Sequence, residues 1–155
     1  MTDVVDAQTR SRMMSGIRAK DTAPEHAIRS MLHKAGFRYR LHYSVLPGRP
    51  DIVLPKYKAI ILVNGCFWHG HTCHLFKWPS SRPEFWHKKI GSTRMRDIKN
   101  LEIYRKAGWR VMVVWECALK GKGKLDLSNI DGFLQSWLVG DLPFGELLGV
   151  ELHEK

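Results

Sequence analysis

Two runs of β-branched and apolar residues, "YKAIILVN" at 57–64 and "WRVMVVWE" at 109–116, constrain this chain most strongly. Each reads as a strand buried on both faces, and such strands belong at the centre of a sheet covered by helices. The segment joining them is long and reads as helical from about Pro83, with a break expected at Gly91 and a stop at Gly108. A crossover between parallel strands requires such a connection. The expected fold is therefore α/β, a mixed sheet flanked by helices.

"DIVL" at 51–54 supplies a third strand, joined to 57–64 by a short Pro-Lys-Tyr-Lys turn. The two should pair as an antiparallel hairpin with residue 54 near 58 or 59, which sets Asp51 opposite residues 61–63. "FRYRLHY" at 37–43 alternates like a strand with one polar face. Before it, Asp21-Thr22 reads as a helix cap with Pro24 in the first turn, and Ile28, Met31, Leu32 and Ala35 recur at helical spacing up to Gly36. Glu25 lies at the edge of that apolar stripe. It either looks inward or forms an exposed pair with Arg29, and the residues alone favour the pair. A last amphipathic helix is expected near 127–139, with Ile130, Phe133, Leu134 and Trp137 facing the core. The tail from Gly140 is weakly determined.

The chain has 155 residues, enough for one domain that buries about two-thirds of its unfolded surface, so size alone calls for no metal. Residues 21–155 read as that domain, and residues 1–20 as a polar, basic arm or short helix. A formal net charge of +10, spread along the chain, suits a folded domain facing a polyanion, with nucleic acid ahead of an anionic membrane. No stretch approaches the roughly 20 apolar residues of a membrane span, and the N-terminus lacks a signal-peptide pattern. The three cysteines, Cys66, Cys73 and Cys117, fit metal binding or buried thiols in a reducing compartment. The protein is expected in the cytoplasm, without membrane association.

"NGCFWHGHTCH" at 64–74 packs histidines and cysteines around two large aromatics. Parallel neighbours end on the same edge of a sheet, so Cys66, just past one central strand, and Cys117, just past the other, should converge. With Cys73 and a histidine they would form a closed tetrahedral Cys3His zinc site, which is structural rather than catalytic. His71 is the histidine placed in the set, and the choice stays open because His69 and His74 compete with it.

Taken together, "RSxxMxxI" at 10–17, Asp21-Thr22 with Glu25, "LPGRPDIVL" at 46–54, "GCFWHxHxC" at 65–73, "FWxxKI" at 85–90 and "GWRVMVVWECAL" at 108–119 resemble the very-short-patch-repair (Vsr) mismatch endonucleases. The resemblance runs in unbroken order from about residue 8 to residue 138. It implies a restriction-endonuclease-like core with a structural zinc, and an enzyme that nicks DNA 5′ to the mismatched T of a T:G pair left by deamination of 5-methylcytosine. By motif, Asp51 and the backbone carbonyl of Val63 would hold magnesium, His69 would be the general base or orient the water, and Glu25 would support the site by a hydrogen bond to His69. Zinc would rest on Cys66, His71, Cys73 and Cys117. Phe67, Trp68 and Met14 would be apolar wedges entering the duplex at the mismatch, with core packing the alternative for each.

One departure stands out. The family pattern has Thr-His at the end of the second strand, where this chain has Val63-Asn64, so a backbone carbonyl is kept and an imidazole is lost. Asn64 can still hydrogen-bond a water or a phosphate, and an active enzyme is expected. The alternative is an endonuclease of the same fold, sequence-specific or modification-dependent, that needs no mismatch. The implied partners are duplex DNA with a T:G mismatch and, at family level, mismatch-repair proteins. A monomer in the bacterial cytoplasm is expected.

Overall fold

The computed structural model describes residues 22–150; the arm at 1–20, with Met14, lies outside them. Helix α1 (Ala23–Lys34) starts where the Thr22 hydroxyl accepts the Glu25 N–H at 3.3 Å, and Pro24 sits in the first turn, where its missing N–H costs no helical bond. Ile28 and Leu32 are fully buried on its inner face. Glu25 is buried as well, at 2 % exposure. That corrects the expectation of an exposed pair: Arg29 does meet Glu25, at 3.0 Å, but inside the protein.

Five strands, β1 (Arg40–Leu41), β2 (Ile52–Leu54), β3 (Ala59–Asn64), β4 (Arg110–Trp115) and β5 (Phe144–Leu147), lie side by side in chain order. The β1–β2 and β2–β3 pairs are antiparallel, whereas β3–β4 and β4–β5 are parallel. Leu54 faces Ala59 and Ile52 faces Ile61, the register expected from the tight turn. β1 is shorter than the 37–43 pattern promised; at its C-terminal end His42 takes a left-handed φ of 47°, which leaves the extended path.

The crossover helix α2 (Pro83–Lys106) runs unbroken through Gly91. A mid-helix glycine costs only about 1 kcal/mol, and burial of Trp86, Ile90 and Tyr104 on the same helix outweighs it. α3 (Leu127–Val139) is capped by Asp126, whose carboxylate accepts the Ser128 N–H at 3.1 Å. It buries Ile130, Leu134, Trp137 and Leu138, while Phe133, expected in the core, is 44 % exposed. The buried stripe has rotated toward Leu138.

Alternation along β3 divides the core. Ala59 and Ile61 pack with Ile28, Leu32, Ile130 and Leu134 from α1 and α3, and Ile60 packs with Tyr104 of α2. Both sheet faces are therefore covered, which is why the central strands lack polar alternation. The weakly determined tail holds β5, an edge strand whose Gly145 fits closely against Met112 and Trp137; an added Cβ there would stand 2.5 Å from Met112 Cε. Among the described residues no helix is long and apolar enough to cross a membrane.

Candidate active site and metal centre

The site assembles where β2 begins and β3 ends. Asp51 directs Oδ2 to the Val63 N–H at 2.9 Å, as the hairpin register demands. Burial pushes its carboxyl up from 3.8 to about 6; the Val63 hydrogen bond opposes the rise, the nearby Glu25 adds to it, and His42 and His69 pull it back. On the other side of β2, the His42 N–H donates to the Asp51 carbonyl at 3.1 Å, extending the β1–β2 ladder by one pair. The His42 side chain then reaches α1, where Nε2 lies 2.9 Å from Glu25 Oε1 and 3.5 Å from Arg29 Nη2. Glu25, His42 and Asp51 each offer one ligand atom, all within 4.8 Å of one another.

His69 sits in a loop closed by its own backbone: the N–H groups of His69, Gly70 and His71 bond the carbonyls of Gly65, Phe67 and Cys66. Gly70 takes a left-handed φ of 62° with Ile90 pressed close, a place where any Cβ would stand 2.7 Å from Ile90 Cγ2. His69 Nδ1 meets Asp97 Oδ2 of α2 at 2.5 Å. The expected bond from Glu25 to His69 is thus not the arrangement formed. Glu25 binds His42 and Arg29, and Asp97 orients His69. A cavity of about 340 Å³ opens beside this pair, lined by Asn64, His69, Arg94, Asp97, Trp115 and Glu146.

Cys66, His71, Cys73 and Cys117 meet as the strand-edge argument expected, with all four ligand atoms within 4.8 Å. His71 Nδ1 lies 3.5 Å from Cys66 Sγ and 3.6 Å from Cys117 Sγ, and the ring stacks on Trp115 with centroids 4.1 Å apart. The choice among the three histidines falls on His71. His69 is engaged by Asp97, and His74 packs against the Gly121 turn instead. Burial raises the Cys66 and Cys117 thiols and lowers the His71 imidazole, so the cluster favours its neutral form until a cation enters. N–H groups of Cys117 and Gly149 point at Cys66 Sγ and Cys117 Sγ, both at 3.3 Å, ready to stabilise thiolates. A soft, closed donor set of this kind suits zinc.

Phe67 and Trp68 are half-buried rather than fully presented. Their rings lie 5.2 Å apart, and both lean on Trp86 of α2, at 5.3 and 6.0 Å. They form the outer layer of an aromatic stack with a buried floor.

Three residues escaped the reading of the sequence. Asp97 had a signal: it is the lone acid in a basic run, "KKIGSTRMRDIKN", on the helix that crosses the sheet. His42 was visible only as part of a strand pattern, and nothing marked Trp86 as the floor under Phe67 and Trp68.

Carboxylates and imidazoles gathered at the strand ends of a mixed sheet, on a strongly basic chain, fit the class of enzymes that act on a polyanion. Comparison narrows it. The profile of the family described as DNA mismatch endonuclease Vsr matches residues 2–75. The chain is 44% identical over 141 residues to the DNA mismatch endonuclease Vsr of Escherichia coli (strain K12), covering 91% of this chain and 90% of that one. It is also 46% identical over 132 residues to the Type II nicking enzyme V.XorIIP of Xanthomonas oryzae pv. oryzae, covering 84% and 97%, and 46% identical over 122 residues to the Type II nicking enzyme V.NmeAIP of Neisseria meningitidis serogroup A, covering 79% and 87%. The chain belongs to the Vsr DNA mismatch endonuclease family.

Proposed function

We propose that this protein nicks duplex DNA 5′ to the mismatched T of a T:G pair, using magnesium at Asp51 and zinc at the cysteine cluster. The observation that carries the reading is the His69–Asp97 pair, with His69 near enough to Asp51 for its charge to act on that carboxyl, in a chain of this family. With Nδ1–H donated to Asp97, His69 keeps the tautomer whose Nε2 lone pair accepts a proton from an attacking water. Asp51 and the Val63 carbonyl hold the magnesium. The N–H and C=O of one strand residue leave on the same edge, so the carbonyl faces the side where Asp51 takes the N–H. When bound, magnesium neutralises charge on the scissile phosphate. Asn64, 9 % exposed in the cavity beside His69, hydrogen-bonds a water or phosphate oxygen.

Phe67 and Trp68, with Met14 of the arm, wedge into the base stack, and the zinc-braced loop presents them. Unstacking a step costs a few kcal/mol, least at a mismatch, so insertion itself discriminates. The buried Trp86 beneath limits how far the rings can yield. Glu25 supports the site through His42 rather than through His69.

Incubation with magnesium and duplexes carrying T:G, C:G or methylated C:G tests this reading. A strand-specific nick on T:G alone, lost in Asp51→Ala, is expected. Equal cleavage of paired duplexes refutes it in favour of a sequence-specific or modification-dependent enzyme.

A further inference from the structure

We infer that the outer edge of β5 is a docking site for an extended segment of a partner protein, one that carries an apolar and a basic side chain two residues apart. The inference does not depend on the mismatch-nicking reading.

Residues 125–150, which hold α3 and β5, contain Asp126, Asp131, Asp141 and Glu146 but no Lys, Arg or His, on a chain whose formal net charge is +10. The same segment exposes Val139 at 70%, Leu142 at 62%, Phe144 at 42%, Leu148 at 41% and Val150 at 57%. Acids and apolar side chains without a cation among them repel a phosphate backbone and attract a cationic protein surface. A second copy is the poorer occupant, because two β5 edges would set Asp141 and Glu146 against acids of the same kind, and like charges across a strand pair destabilise it.

The backbone says how the partner is held. β5 ends the sheet, and among the described residues no strand pairs with its outer side. The Val111 N–H takes the Pro143 carbonyl at 3.0 Å, and Val111 faces Phe144 across the ladder. In parallel pairing the residues flanking Phe144 then bond β4, so Phe144 and Glu146 turn their own N–H and C=O outward. Those are the groups that an added strand would bond.

Side-chain alternation sets the pattern of the occupant. Phe144 and Glu146, two residues apart, lie on one face of β5. The cavity of about 340 Å³ opens on that face, with Ile98, Leu101, Val113 and Trp115 beside them. An apolar side chain next to Phe144 enters this cavity. Glu146 Oε2 accepts the Trp115 Nε1–H at 3.1 Å, which holds the carboxylate in place and leaves its other oxygen for a Lys or Arg.

The 15N-labelled full chain, loaded with one equivalent of Zn2+, is titrated with the capped peptide Val-Thr-Lys-Thr-Val-Thr-Lys and followed by heteronuclear NMR. Saturable shifts should centre on the amides of Phe144, Glu146 and Leu148. Only alternate N–H groups of the peptide can bond β5, so N-methylation of one alternate set should weaken binding roughly tenfold or more and methylation of the other set should spare it. Replacing each peptide Lys with Glu should weaken binding roughly tenfold, and Glu146→Gln in the protein roughly threefold. The methylated peptides leave the protein unaltered, so that arm decides even where a variant folds poorly. Absence of a saturable shift up to about 1 mM peptide overturns the proposal. So do shifts centred elsewhere, equal weakening by the two methylated sets, or equal binding of the Glu peptide. A free chain that sediments as a dimer and reverts to monomer in Phe144→Ser assigns the edge to a second copy and overturns it as well.

Discussion

Asp51→Asn should stabilise the metal-free protein, by an amount that depends on pH. The Asp51 carboxyl is buried beside Glu25 and binds its proton more tightly in the folded state, from 3.8 up to about 6. Between those values the folded chain carries more protons than the unfolded one, so stability falls as pH rises through that window. The full loss is about 3 kcal/mol, since each pH unit of difference is worth about 1.4 kcal/mol. Asparagine keeps an oxygen for the Val63 N–H and has no charge to bury, so the variant escapes the penalty. The stability difference between variant and wild type should therefore grow by about 2 kcal/mol from about pH 4.5 to about pH 7.5. Urea unfolding of zinc-loaded, magnesium-free protein at several pH values measures it, and titrating groups that do not interact with Asp51 cancel in the comparison. A difference that is constant with pH, or a wild type more stable than the variant at neutral pH, would refute the burial argument for Asp51.

Asp97→Asn should lower turnover about tenfold or more, because His69 loses the carboxylate that selects its tautomer, while duplex affinity in a binding assay stays within about twofold. Trp68→Ala should weaken T:G binding and leave zinc content by atomic absorption unchanged, since its ring contacts are to Phe67 and Trp86, not to the ligands. Loss of zinc in that variant would mean that the ring packs the loop and is no wedge. Cys117→Ser, or a strong chelator, should release zinc and destabilise the fold by about 3 kcal/mol or more in thermal unfolding, because Cys117 ties the β4 end to the 66–73 loop.

Much of the scaffold was determined by the sequence itself, wherever a local pattern dictates a long-range pairing. A tight turn between 51–54 and 57–64 narrows the hairpin to residue 54 near 58 or 59 and so sets Asp51 opposite residues 61–63; the structure takes the pairing of Leu54 with Ala59, which brings Asp51 to the Val63 N–H. A helix-length connection between two apolar strands forces them parallel, which brings Cys66 to Cys117. Histidine choice was different. His69, His71 and His74 are equivalent as residues, and only the path of the 65–71 loop sends His71 to the thiols and His69 to Asp97. Helix rotation decided the rest. A few tens of degrees about the α1 and α3 axes bury Glu25 and expose Phe133, and spacing along a stripe does not fix that angle to better than one residue. β5 was invisible because "FGEL" has too little pattern to mark a strand until β4 offers an open edge. His42 and Asp97 belong to the site for the same reason: each is joined to its partner by packing between elements, and no spacing in the chain encodes that contact.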